Sequence, residues 1–233
     1  MGVDRSYEFT EEARIVQGVK TYRIRAVRDI PSQFVKEGDL GGFLQQTSKL
    51  NNDAWIADDA VVYGSSVVCG NARVSGESVV STGSVISKNA VVRGSANIVD
   101  SLITGSSIIS GSSNIVRATV TGDSRVSGDS IIKPGVYLAG TTYVSDITLE
   151  SSSDVINAVF DGKDVTVTKS YIRLFGFTVN VDDGDDIIKM LVRRFDTSFT
   201  TYVREWCNKY IGLILTMRRM LLSDVQDNSC RHE

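Results

Sequence analysis

A six-residue repeat occupies the chain between Ala54 and Phe160, and it restricts the fold more than any other feature. In each repeat a small residue, mostly Ala or Ser, stands two places before an aliphatic one, as in Ala54-Trp55-Ile56. The aliphatic positions are Ile56, Val62, Val68, Val74, Val80, Ile86, Val92, Ile98, Ile103, Ile109, Ile115, Val120, Val126, Ile132, Leu138, Val144, Leu149, Val155 and Phe160. The spacing shortens from six to five at Ile103, Val120, Leu149 and Phe160. In each of these five-residue repeats the inward partner two places before the aliphatic residue is still present, so the residue that is missing from the repeat belongs to a turn.

This periodicity predicts a parallel β-helix built from hexapeptides. In a strand, residues two places apart point the same way, so the small and the aliphatic residue of each repeat both face inward. Three repeats close one triangular coil, and the whole series makes about six coils, a prism roughly 30 Å long. Glycines such as Gly94 and Gly111 recur at the turns, where a residue without Cβ accepts unusual backbone angles.

The outward positions fall into three strips when every third repeat is assigned to one face. The valine–leucine strip contains Val67, Val85, Leu102, Thr119 and Tyr137, the valine–asparagine strip Val61, Val79, Asn97, Asn114 and Ile131 with Tyr63 beside it, and the arginine strip Trp55, Arg73, Val91, Ile108, Arg125 and Tyr143. The first two strips are too apolar to stand in water over several coils. We therefore expect C-terminal helices, another subunit or a foreign partner to cover them.

Residues 1–50 are predicted to form a cap and a lead-in loop before the solenoid at 51–161. Two apolar–polar alternating runs, 7–16 and 19–30, meet at Gln17-Gly18 and indicate a β-hairpin across the open end of the first coil. The alternation predicts that Arg23, Arg25 and Arg28 lie on a solvated face of the strand. The alternative is that these arginines form a phosphate or partner site. The glycine-rich stretch Gly38-Asp39-Leu40-Gly41-Gly42 is interpreted as a structural turn rather than a phosphate loop, because no helix start follows it.

Residues 162–233 are predicted to form a small α+β module. Three β segments within 164–181 precede the cluster Asp182-Asp183-Gly184-Asp185-Asp186, which is interpreted as a helix cap and dipole partner rather than a calcium loop. A long helix is expected from about 198 to 222. Its apolar stripe is a second candidate oligomer or partner surface and contains Phe199, Tyr202, Trp206, Tyr210, Ile214 and Leu221.

The lead-in motif also supports a resemblance to a known family. The resemblance rests on the segment from Tyr22 to Ile30, on Val35-Lys36-Glu37-Gly38-Asp39-Leu40-Gly41-Gly42-Phe43, and on Asp53-Ala54-Trp55-Ile56 and Val61-Val62-Tyr63-Gly64. In these segments the chain resembles YdcK-type hexapeptide-repeat proteins of bacteria, prophages and phages. The resemblance covers roughly residues 20 to 160. It implies a left-handed coil and a mobile-element origin, and it carries no mechanism. This chain departs from the family in using Ser as its usual small residue.

Composition and charge exclude several broad classes of protein. The apolar content of 42% and charged content of 23% are those of a globular chain. The net charge is −3, and neither end is strongly basic, so nucleic-acid binding through a broad basic surface is not expected. The start lacks the apolar core of a secretory signal, and no segment is apolar for long enough to span a membrane. The three cysteines show no paired spacing and indicate free thiols in a reducing cytoplasm.

The residues also argue against catalysis. Hexapeptide β-helices often belong to acyltransferases with a histidine base or to zinc enzymes with three histidine ligands. This chain has one histidine, His232, next to its last residue. We therefore expect no enzyme activity, no metal and no cofactor.

The expected function is protein binding without catalysis, by a homo-oligomer that is a dimer or a trimer. If the mobile-element resemblance holds, the partner is a host or defence protein that the chain inhibits. A structural or assembly scaffold, such as a virion component, is the alternative. The third hypothesis is a degenerate acyltransferase-like protein that binds a ligand between subunits.

Overall fold

The computed structural model describes residues 5–149 completely and, beyond them, the backbone of 154–156, 159–167, 171–174 and 177–180. The strands are β1 (Tyr7–Val16), β2 (Val19–Ala26), β3 (Leu40–Leu44), β4 (Lys49–Leu50), β5 (Trp55–Ile56), β6 (Val61–Val62), β7 (Val67–Val68), β8 (Arg73–Val74), β9 (Val79–Ser81), β10 (Val85–Ile86), β11 (Val91–Val92), β12 (Asn97–Val99), β13 (Leu102–Ile103), β14 (Ile108–Ile109), β15 (Asn114–Val116), β16 (Thr119–Val120), β17 (Arg125–Ser127), β18 (Ile131–Ile132), β19 (Tyr137–Ala139), β20 (Tyr143–Leu149), β21 (Asp154–Ile156), β22 (Val159–Val167), β23 (Tyr171–Leu174) and β24 (Phe177–Asn180). One short 3₁₀ turn, Pro31–Gln33, is the only helical element in the part described. The predicted long helix and its apolar stripe lie outside the described residues.

The strands stack in parallel into a β-solenoid of about six turns, which confirms this part of the predicted architecture. Face 1 consists of β3, β6, β9, β12, β15 and β18, face 2 of β4, β7, β10, β13, β16, β19 and β21, and face 3 of β5, β8, β11, β14 and β17. The long β20 crosses a corner, since its start pairs with β17 and its end with β18. Every outward residue therefore lies beside the residue of its own strip one coil later, as Val85 lies beside Leu102.

The inward column forms the core. Its aliphatic side chains, from Ile56 to Val144, have no exposed surface. The inward serines are also buried, and the hydroxyl groups of most of them donate to the carbonyl oxygen three residues earlier; Ser101 donates to the one two residues earlier. Ser113, for example, donates to the Ser110 carbonyl oxygen at 2.7 Å, and Ser84 to that of Ser81 at 2.6 Å. Where this local bond forms, Ser replaces Ala at the corner without leaving a buried polar atom unpaired; the exception is Ser48, whose buried hydroxyl has no partner.

Glycines at one corner stack on each other from coil to coil. A Cβ atom on Gly94 would lie 2.7 Å from the carbonyl oxygen of Gly111, and one on Gly111 would lie 2.5 Å from that of Gly128. These residues also have positive φ angles, +81° at Gly94 and +72° at Gly111. Both the backbone conformation and the close approach of the next coil thus require glycine here.

The parallel ladder also extends to residues before Ala54. Strand β3 pairs with β6 and β4 pairs with β7, and the inward residues Leu44 and Leu50 are buried. The interpretation of Gly41 and Gly42 as part of a turn is wrong, because both lie in β3. A Cβ atom on Gly41 would meet the carbonyl oxygen of Ile56 at 2.6 Å, so glycine is needed here for strand packing.

Antiparallel strands adjoin both ends of the face 1 ladder. At the start, β1 and β2 form the predicted hairpin around Gln17-Gly18, and β2 pairs antiparallel with β3. At the other end, β22 pairs in parallel with β20, and β23 and β24 follow it in antiparallel order. Antiparallel additions of this kind occupy strand edges that would otherwise pair with another chain.

Candidate interaction surface

The hairpin tip covers the first part of the valine–asparagine strip. Phe43 and Val61 are 1% and 4% exposed, and Tyr63 is 7% exposed. The side chains that pack on them include Val16 and Val19, which flank the hairpin turn. Part of this strip is therefore covered by the N-terminal hairpin, which was not among the covers expected for it. Val61 and Tyr63, expected on a partner surface, have little surface left to offer one.

Two arginines fix the hairpin to face 1. The guanidinium carbons of Arg14 and Arg23 lie 4.2 and 4.4 Å from the centre of the Phe43 ring. Both guanidinium groups also contact Oδ1 of Asp59, at 3.1 and 3.3 Å. Arg23 binds Glu12 in addition, and its side chain is only 17% exposed. The predicted solvated face is therefore wrong for Arg23, because its guanidinium group packs between hairpin and solenoid.

Polar side chains interrupt the remainder of the valine–asparagine strip. Val79 is half-buried, and the Asn97 amide donates to the side-chain oxygen of Asn114 at 3.0 Å. At the far end Ile131 is 38% exposed. The strip thus offers no continuous apolar surface beyond the hairpin.

The arginine strip is covered at its start by the loop that connects β2 and β3. Trp55 is only 1% exposed, and Gly41, by lacking a Cβ, leaves room for its ring. One coil later, Nη1 of Arg73 donates to the carbonyl oxygen of Gln33 at 3.1 Å. Further along, Arg125 is exposed. This strip is therefore protected near the hairpin, and beyond it the half-buried Val91 and Ile108 are followed by a charged residue.

The valine–leucine strip keeps an apolar outer surface over several coils. Val67 and Val85 are half-buried, and Leu102 and Tyr137 are 39% and 37% exposed. Thr119 stands between the last two in the ladder. The backbone fixes all five side chains in register, about 4.8 Å apart. Of the three strips, this one best fits an interaction surface.

Groups able to support other chemistry are few in the described part of the chain. Cys69 is a free, half-buried thiol, and no three His, Cys, Asp or Glu side chains between residues 5 and 149 are placed to hold a metal ion. No helix in the described part has the length and hydropathy to cross a membrane. His232 lies outside the described residues, as do Phe199, Tyr202, Trp206, Tyr210, Ile214 and Leu221 of the predicted helical stripe.

Neither a protein-family model nor a curated protein matches this chain. The resemblance to YdcK-type proteins thus rests on the residues of the lead-in motif and stays a prediction.

Proposed function

We propose that this chain is a non-enzymatic binding protein that engages another protein through the valine–leucine strip of a left-handed β-solenoid. The observation that carries the proposal is the exposure of Leu102 and Tyr137 in register on one rigid ladder. A rigid ladder loses little conformational entropy when it binds, so apolar contacts on it contribute more to affinity. The hairpin supports the proposal as well, since it protects one apolar strip and leaves this one open.

The partner we propose is a host or defence protein that the chain inhibits in the cytoplasm. This part follows from the resemblance to proteins of phages and prophages. The free thiol of Cys69 fits a reducing compartment. We also propose that the chain self-associates as a dimer or trimer, through the aromatic stripe expected between Phe199 and Leu221.

A double substitution on the strip tests the proposal. Leu102→Glu with Tyr137→Glu places two charges on the strip without touching the inward column. Tagged wild-type protein is expected to co-purify with one stoichiometric protein from its own cells, and the double variant is expected to lose it while melting at the same temperature. Val91→Glu with Ile108→Glu, on the arginine strip, is the matched control and is expected to keep the partner.

Light scattering on the purified full chain separates the proposal from the scaffold alternative. A dimer or trimer that keeps its foreign partner agrees with the proposal. Large assemblies that contain only this chain, and that the strip variant dissolves, would make it a structural scaffold instead. Retention of the partner by the strip variant would contradict binding through this strip.

A further inference from the structure

The loop between β2 and β3 displays one aromatic side chain to solvent. Phe34 is 95% exposed, the largest exposure of any bulky apolar residue in the described part of the chain. Three residues close to it in the loop are buried, Ile30 at 0%, Gln33 at 6% and Val35 at 5% exposure. The ring is thus exposed between two buried neighbours, in a loop whose stretch from Lys36 to Asp39 is also exposed.

The backbone at Phe34 has the left-handed conformation of a C-cap, at the end of the 3₁₀ turn Pro31–Gln33. Its φ is +56° and its ψ is +37°, the left-handed region that glycine and asparagine adopt most readily. A phenyl side chain gains no described contact that would offset this conformation or its exposure to water. Nine other non-glycine residues of the described part also have positive φ angles, so the exposed aromatic ring, and not the backbone angle, sets Phe34 apart.

The loop is held firmly in place at its base. Ile30 and Val35 form an antiparallel bridge, with the Ile30 N–H donating to the Val35 carbonyl oxygen at 2.9 Å. The Gln33 amide donates to the carbonyl oxygen of Asn71 at 2.8 Å, which joins the loop to the solenoid. Phe34 itself donates its N–H to the Pro31 carbonyl oxygen at 3.1 Å. The ring is therefore carried on a rigid support.

A carboxylate fixes the segment that follows Phe34. The backbone N–H of Glu37 donates to Asp29 at 2.9 Å, and the Lys36 ammonium group lies 3.1 Å from the same carboxylate. These two donors, the N–H first, hold the pKa of Asp29 below its ordinary value. The loop is thus fixed on both sides of the exposed ring.

We infer that Phe34 is an anchor residue that inserts into an apolar pocket on the partner protein. Aromatic anchors on pre-organised segments supply much of the binding energy at protein interfaces. The inference rests on the proposed binding function and adds a second contact to it, at the hairpin end of the solenoid. It assigns the partner a pocket of about the size of one phenyl ring.

The charges around the loop favour a protein over a membrane or a nucleic acid. Between residues 28 and 39 the basic groups are Arg28 and Lys36, and both form ion pairs, with Asp53 and Asp29. The acidic Glu37 and Asp39 lie in the same segment. An anionic lipid surface or a phosphate backbone needs an excess of unpaired basic groups, which this loop lacks.

Photo-crosslinking followed by affinity measurement tests the inference. Full-length chain with benzoylphenylalanine at position 34 is expected to crosslink to one foreign protein in its own cells. The control carries the same group in place of Ile15, which is 74% exposed on the hairpin, and is expected to give no crosslink. The crosslinked protein is then purified for binding assays. Phe34→Asn keeps a residue that tolerates the left-handed backbone. It is expected to weaken binding at least about tenfold, with an unchanged melting temperature, and Ile15→Asn to leave the affinity unchanged.

Three results would overturn the inference. The first is equal affinity of wild type and Phe34→Asn for the purified partner. The second is crosslinking of a second copy of this chain at position 34, which would make the loop a self-association contact. The third is no crosslink at 34 while a stoichiometric partner still co-purifies, which leaves the binding function standing without this anchor. If no foreign protein co-purifies at all, the proposed function fails together with the inference.

Discussion

The hydroxyl group of Tyr63 donates a 2.9 Å hydrogen bond to the side-chain oxygen of Gln17, and this bond joins the outer surface of the solenoid to the hairpin tip. Gln17 and Gly18 form the turn, with φ angles of +49° and +78°. The valines on either side of the turn pack on the same surface as the tyrosine ring. The hairpin therefore lies against face 1 through polar and apolar contacts together.

We expect Arg23→Ala to destabilise the protein more than Arg25→Ala, although the two arginines lie on the same strand. Arg23 packs on Phe43, binds Asp59 and Glu12, and donates to the Gly41 carbonyl oxygen at 2.9 Å. Its loss is expected to lower the free energy of unfolding by about 1–3 kcal/mol. Arg25 has a half-exposed side chain and an ion pair with Glu8, and exposed pairs contribute ~0–1 kcal/mol. Urea denaturation of both variants measures the difference, and equal losses would contradict the packed role of Arg23.

The inward register is tested by neighbouring residues on face 3. Ile109 has no exposed surface, whereas Ile108 points outward and is half-buried. Ile109→Asp buries an unpaired carboxylate among stacked aliphatic side chains and is expected to cost several kcal/mol. Ile108→Asp is expected to be milder. Thermal melting measures the loss of melting temperature in each variant. Equal losses would contradict the assignment of Ile109 as inward and Ile108 as outward.

The repeat allowed the three outward strips to be predicted from the sequence. Parallel stacking places each residue beside its counterpart one coil later, so periodicity alone fixes which residues share a face. Val67, Val85 and Leu102 lie on face 2, as predicted. The two strands before Ala54 were not predicted, although Leu44 and Leu50 continue the six-residue spacing and Ser48 stands two places before Leu50. Only Gly42, two places before Leu44, departs from the usual Ala or Ser.

The cover over the strips could not be predicted in the same way. The hairpin reaches Tyr63 from Gln17 across 46 residues, and a contact at that separation leaves no local periodic signal. The role of Arg23 was missed for the same reason, since its partners Phe43 and Asp59 lie in other segments. Phe34 follows a turn-forming Pro31 and gives no pattern of its own. Only the fold shows that its ring is exposed.

Alkaline pH should reveal the burial of Tyr7. Burial raises the pKa of its hydroxyl above the ordinary value of 10.0, and Arg5 partly opposes the shift. The native state therefore holds this proton more tightly than the unfolded state. The stabilisation is fully present below about pH 10 and is lost as the pH rises through the raised value.

Tyr7→Phe removes that titration and keeps the ring, which contacts Phe9 edge-on at 5.5 Å between centroids. The variant is expected to lose less stability than wild type as the pH rises above about 10. Urea denaturation across this pH range measures the effect. Tyr137→Phe, at an exposed position, is the control and is expected to follow wild type. Parallel curves for wild type and Tyr7→Phe would refute the prediction.

The glycine stack is expected to be sensitive to a single methyl group, and two glycines with similar backbone angles separate the causes. Gly94 has a φ of +81°, and a Cβ atom there would lie 2.7 Å from the Gly111 carbonyl oxygen. Gly83 has a φ of +73°, and a Cβ atom there would meet nothing within 4 Å. Gly83→Ala thus carries only the backbone strain, about 1–2 kcal/mol.

Gly94→Ala carries the same strain together with the clash against the next coil. It is expected to lose a further ~1–3 kcal/mol, because the backbone of Gly111 is held by its own stack on Gly128 and yields little. Differential scanning calorimetry on both variants measures the gap between them. If Gly94→Ala melts at the same temperature as Gly83→Ala, the coils can move apart at this corner at little cost in free energy. The strained backbone alone would then require glycine at position 94.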